Sequence, residues 1–217
     1  MTDFALRRRM MVDTQVRPSD VTKFPIIDAM LRIPREEFVP DSKVEAAYIG
    51  ENLVLEEGRV LLDPRTLAKM IDALSITATD LVLDVGCGTG YSAALISRMA
   101  EVVVAVEENE GLAGSAENAL ARTGSETVVL HKGPLNEGAP AHAPYDVMIL
   151  QGGIEVFPQA LVEQLSEGGR VAAVFMNGAL GVARLGIRKG DQISWRDIFN
   201  AAAPVLPGFA DQQVFSL

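Results

Sequence analysis

The run Leu81-Val82-Leu83-Asp84-Val85-Gly86-Cys87-Gly88-Thr89-Gly90-Tyr91 decides the fold of this chain. An apolar segment of strand character carries an acid near its end. Three glycines at alternate positions follow, and the spacing then predicts a helix over Tyr91–Met99. A buried strand that turns into a helix through Gly-x-Gly-x-Gly exposes main chain that no Cβ shields, and the helix start offers free N–H groups.

Asp84 beside this turn disfavours a pyrophosphate and favours a cation. S-adenosylmethionine, which carries an ammonium and a sulfonium, matches that preference. The competing dinucleotide fingerprint is Gly-x-Gly-x-x-Gly or Ala. Here Tyr91 stands where that fingerprint needs a small residue for close helix–strand packing. The cofactor residues read from this stretch are Asp84, Gly86, Cys87, Gly88, Thr89, Gly90 and Tyr91. A second apolar run, Val102–Val106, ends in Glu107, where a nucleoside ribose lies in doubly wound folds. A carboxylate there can accept from both ribose hydroxyls, so Glu107 is the expected ribose ligand, and Glu108 joins the cofactor set.

Composition bounds the rest. The chain has 217 residues, of which 48% are hydrophobic, enough for one α/β domain with a sizeable core. A formal net charge of −10 argues against nucleic-acid and anionic-membrane partners. Arg7-Arg8-Arg9 reads as a solvated helix face. Cys87 is the only cysteine, which rules out an intrachain disulfide and fits a cytoplasmic protein. It reads as a small spacer in the turn, not a nucleophile. His131 and His142 have no metal-ligand spacing, so no metal is expected. No signal-peptide core and no apolar span of membrane length is present.

Two textures divide the chain. Residues 1–78 show helical spacing without strand alternation and are expected to form a helical cap and substrate region, with Pro64–Leu74 as one clear helix. Residues 79–217 alternate strands and helices, as a cofactor-binding Rossmann-like domain does; the two are expected to form one unit. Strands are expected at Leu81–Val85, Val102–Val106, Thr127–His131, Val147–Leu150 and Val171–Phe175. Helices are expected at Tyr91–Met99, Leu112–Arg122 and Gln159–Leu165, and Val182–Arg188 with Gln192–Phe199 reads as a hairpin through Lys189-Gly190-Asp191. The tail after Pro204 carries no readable signal.

Further motifs carry a family resemblance. Arg9-Met10-Met11-Val12 with Gln15, then Ile33-Pro34-Arg35-Glu36-Glu37-Phe38-Val39-Pro40, Ala47-Tyr48, Pro144-Tyr145-Asp146 and Gly168-Gly169-Arg170 resemble the protein-L-isoaspartate O-methyltransferases over roughly residues 7–176. The resemblance implies a class I methyltransferase sheet of seven, mostly parallel, strands. It also implies methyl esterification of isoaspartyl residues in damaged proteins, with S-adenosylmethionine as donor.

The departures cluster at the chemistry. Where the family has Gly-x-Gly-Gln-Thr-Ile-Ser-Gln-Pro, this chain has Glu56-Glu57-Gly58-Arg59-Val60-Leu61-Leu62-Asp63-Pro64. The resemblance makes the serine a substrate-carboxylate ligand, but its position is Leu62, which has no donor. Val60 stands for the threonine and Asp63 for the glutamine. No catalytic residue is therefore assigned. The family's adenine-binding Gly-Asp-Gly reads Gly133-Pro134-Leu135, leaving Pro134 and Leu135 to contact the base. Gln151-Gly152-Gly153 replaces a Thr-Ala-Ala type run. Three readings follow: an isoaspartyl methyltransferase, a methyltransferase for another protein, peptide or small-molecule acceptor, and a non-catalytic S-adenosylmethionine-binding protein. Oligomeric state is not legible.

Overall fold

The computed structural model describes residues 3–56 and 58–211. The N-terminal part contains α1 (Phe4–Met11), α2 (Phe24–Arg32), a hairpin of β1 (Leu53–Glu56) and β2 (Arg59–Leu61), and α3 (Pro64–Leu74). The sheet region follows as β3 (Leu81–Val85), α4 (Tyr91–Ile96), β4 (Val102–Glu107), α5 (Glu110–Arg122), β5 (Val128–Lys132), β6 (Tyr145–Ile154), α6 (Gln159–Gln164), β7 (Leu165–Asn177), β8 (Leu180–Lys189) and β9 (Gln192–Asn200). Every strand and helix expected from residue 64 onward is present, with ends shifted by a few residues.

The seven main strands run in the order β5-β4-β3-β6-β7-β8-β9. The first five are parallel, and β8 and β9 close the sheet antiparallel. Continuous apolar strands bury both faces of such a sheet. Val82, Val103, Ala105, Val147 and Ile149 enter one core. Their neighbours Leu83, Val85, Val104, Val106, Met148 and Leu150 enter the other. The strand order reverses on either side of β3 and β6, and the crevice above that switch point is where doubly wound folds hold ligands.

The N-terminal elements cover the first face. In α3, Leu67, Met70, Ile71 and Leu74 are buried on one stripe, each contributing on the order of 1.5–3 kcal/mol. Met11, Val16, Ile26 and Met30 join the same core. The expectation of purely helical structure before residue 78 needs correction, because Leu53 pairs with Leu61 and Val54 with Val60 in a two-stranded hairpin. Its strands are four and three residues long, too short for alternation to stand out.

The C-terminal segment also has a definite place. Gly153 N donates to Pro204 O and Leu206 N to Gly153 O, both at 2.8 Å. Val205 thereby bridges Gly153 in parallel, and Phe209 is fully buried in the second core. At the far end of the sheet, Trp195 on β9 lies edge-on to Phe157 and Phe175, with ring centroids 5.3 and 4.7 Å away.

Candidate active site

The glycine turn forms the floor of the crevice. Gly86, Gly88 and Gly90 have φ of +74°, +59° and +92°, a region that residues with a Cβ rarely enter. A Cβ on Gly90 would lie 3.2 Å from Leu120 Cγ, so this glycine seats α5. A Cβ on Gly88 would lie 2.8 Å from Leu55 Cδ1. The bare main chain expected to meet a ligand is therefore met by the β1–β2 hairpin of the same chain.

Glu107 ends β4 fully buried, and its carboxylate is saturated. Arg59 Nη1 donates to Oε1 at 2.7 Å and Arg59 Nη2 to Oε2 at 2.6 Å. The N–H of Gly88 donates to Oε2 at 2.8 Å and that of Asn109 to Oε1 at 3.0 Å. Two donors per oxygen use the roughly four lone-pair positions of an ionised carboxylate. Arg59 Nη2 also donates to Gly86 O at 3.0 Å, and the guanidinium side chain is only 4% exposed. Such forked, desolvated pairing is the strong form of the arginine–carboxylate interaction.

Asp84 is likewise engaged. Its Oδ2 accepts from Ser92 Oγ at 2.6 Å and its Oδ1 from Gln151 Nε2 at 2.7 Å. Burial is the main influence on its acidity and raises its pKa to about 7, against the opposing pull of these two donors. Burial also pushes the Cys87 thiol well above its ordinary range, with the charges of Asp84 and Glu107 adding to the effect. That removes thiolate character at neutral pH and agrees with the reading of Cys87 as a spacer.

The remaining expected residues scatter around this centre. Thr89 Oγ1 donates to Phe38 O at 2.5 Å. The Tyr91 ring is fully buried, edge-on to Phe38 at 5.5 Å and beneath Arg35 at 4.8 Å, so it points into the core and only its main chain borders the turn. Arg35 ties the cap to the loop before α3, donating from Nε to Ala47 O and from Nη2 to Leu62 O. Glu108 accepts from Leu135 N at 3.4 Å, and the Leu135 side chain is buried in the second core. Pro134 precedes a 3-10 turn, Leu135–Glu137. Val60 and Leu62 are core residues, 8% and 1% exposed. Asp63 caps α3, accepting from Thr66 N at 2.9 Å.

Sequence reasoning missed the residues that fill the crevice: Arg59, Leu55 and Leu206. Leu206 packs against the turn and β6 together: a Cβ on Gly86 would lie 3.4 Å from its Cδ1, and one on Gly152 2.6 Å from its Cδ2. Arg59 had a readable signal, since glutamine occupies its position in the family loop. Gln151 was visible as a departure, but its bond to Asp84 was not. Outside the plug lies a cleft of about 370 Å³, lined by Glu56, Gly58, Arg59, Glu108, Asn109, Val205 and Pro207.

Comparison with known proteins decides the lineage. Residues 7–191 match the family model described as Protein-L-isoaspartate(D-aspartate) O-methyltransferase (PCMT). The chain belongs to the protein-L-isoaspartate O-methyltransferase family. A relative from Koribacter versatilis of that name is 38% identical over 171 residues, 79% of this chain and 77% of the relative. The Pelobacter propionicus protein-L-isoaspartate O-methyltransferase 2 is 34% identical over 185 residues, 83% of this chain and 82% of the relative. A solved protein-L-isoaspartate O-methyltransferase superposes with a TM-score of 0.82 at 27% identity, over 93% of this chain and 66% of its own. The fold also matches, with a TM-score of 0.79 at 15% identity, a Plasmodium falciparum structure titled for the same activity and solved with S-adenosyl-L-homocysteine. That match covers 95% of this chain and 99% of the other.

The family consists of S-adenosylmethionine-dependent methyltransferases, and its seven-stranded, mostly parallel sheet is the one found here. Among the described residues, no helix is long and apolar enough to cross a membrane, and no cluster of His, Cys, Asp and Glu could hold a metal ion. In the arrangement seen here, side chains of the chain itself fill the crevice. Arg59 fills acceptor positions on Glu107, the residue expected to take a ribose, and Leu206 lies against the glycine turn.

Proposed function

We propose that this protein is a methyltransferase that esterifies the isoaspartyl carboxylate of proteins or peptides, with S-adenosylmethionine as donor and the cytoplasm as its location. The observation that carries this reading is the junction of β3 and β4: an acid-ended strand, a glycine turn in left-handed conformations, and Glu107 hydrogen-bonded to the N–H of Gly88. That junction lies at the switch point of a family sheet whose matched region spans residues 7–191.

The chemistry asks little of titratable side chains. An isoaspartyl carboxylate has an ordinary pKa near ~4 and is ionised at neutral pH, so no general base is required. Orientation and exclusion of water supply the catalysis, and orientation alone is worth on the order of 7–11 kcal/mol in favourable cases. A buried, neutral Cys87 is compatible with such a mechanism. Leu62, turned into the core, takes no part in holding the acceptor, and Asp63 spends its side chain on α3.

The test is methyl incorporation into an isoaspartyl peptide beside its aspartyl twin. Label in the isoaspartyl peptide alone is the expected outcome. Label in neither, with transfer to another acceptor from a panel of small molecules and peptides, would replace the isoaspartyl assignment with a different acceptor.

A further inference from the structure

Arg59 stands where a ligand of the family site belongs. Its guanidinium takes one acceptor position on each oxygen of Glu107, at 2.7 and 2.6 Å, and a third bond ties it to Gly86 O in the glycine turn. A nucleoside ribose offers the same pattern, two adjacent hydroxyl donors to one carboxylate. Neither can bind while the other is present, because Gly88 N and Asn109 N hold the remaining positions.

The surroundings give Arg59 somewhere else to go. It borders the cleft of about 370 Å³ that opens outward, and two further carboxylates, Glu56 and Glu108, line that cleft. Arg59 is the first residue of β2, a strand of three residues, and it follows Gly58, whose φ is +72° and whose Cβ position is open. Glu56 and Glu108 are thus carboxylates on the same cleft that a guanidinium displaced from Glu107 would meet.

We propose that Arg59 is a built-in competitor of the methyl donor: it occupies the ribose seat on Glu107, and the donor binds only when Arg59 has moved out toward Glu56 and Glu108. This rests on the functional reading above. It adds that wild-type affinity is reduced by the fraction of molecules in which Arg59 is withdrawn. Replacing Arg59 by a residue that cannot fork onto Glu107 then strengthens donor binding, the opposite of what removal of an ordinary site residue does.

The experiment is calorimetry with S-adenosylhomocysteine and S-adenosylmethionine on wild type, Arg59→Gln and Arg59→Met, with circular dichroism to verify folding. Glutamine restores the family residue; methionine keeps the stem and its packing. Either variant is expected to bind ~10-fold or more tightly than wild type. Adding Glu107→Gln to the tighter variant is expected to cancel the gain, which locates it at the ribose carboxylate. Hydrogen exchange on wild type with saturating nucleotide is expected to quicken at residues 53–56 and 58–61 and to slow at 86–90. Equal or weaker binding by the folded variants, with micromolar binding by wild type, overturns the competitor role and leaves the methyltransferase reading standing. Absence of binding by every folded form overturns both.

Discussion

Glu107 and Asp84 are both fully buried acids, and the chain keeps them by different means. Glu107 is matched with the cation Arg59 and two main-chain donors; Asp84 has only two neutral donors and a pKa raised to about 7. The ordinary value is 3.8, so between about pH 4 and 7 the native state holds a proton that the unfolded chain has lost. Stability must fall with rising pH across that window and level off above it. Asp84→Asn removes this dependence. Its unfolding free energy relative to wild type, from urea titrations, is expected to rise by about 2–3 kcal/mol between pH 5 and pH 8. Leu62 gives a second prediction. Restoring the family serine there places a hydroxyl in a dry core, so Leu62→Ser is expected to cost about 2–5 kcal/mol in the same assay. The glycines, Glu107 and the loss of the serine were readable because each is a residue type at a fixed offset from a motif. The occupation of Glu107 was not, because Arg59 reaches it across 48 residues of sequence.

Elements were legible in proportion to their length and repetition. The parallel strands declared themselves as apolar runs, and α3 by a proline at its start and a stripe of four apolar residues. The β1–β2 hairpin did not, since its short strands carry too few residues to express a period of two. Asp63 shows how an element can recast a residue. Read as a loop acid it would repel an anionic acceptor; as the cap of α3 it satisfies Thr66 N, while its own N–H donates to Asn52 Oδ1 at 2.9 Å. Asp63→Ala is expected to cost about 1 kcal/mol, measured as a lowered melting temperature.

On the scale of the molecule, the two cores are joined through the sheet, and the crevice between them is closed from two directions. The hairpin closes it from the N-terminal side, and the segment around Leu206 closes it from the other. The latter was unreadable because it is irregular and its anchors, the main chain of Gly153 and the pocket for Phe209, are tertiary. It contributes to the fold all the same: Phe209→Ala empties a fully buried ring site and is expected to cost about 3–5 kcal/mol in urea unfolding. The same variant is expected to loosen Leu206 over Gly152, read as faster hydrogen exchange at residues 152–154.

The sole indole of the chain, Trp195, is wedged between two benzyl rings on β9, at the antiparallel border of the sheet. Its emission therefore follows melting of that border and stays silent when a nucleotide enters or leaves above β3. A flat fluorescence titration is the expected result even for a tight complex, and occupancy has to be followed by heat or by isotope uptake.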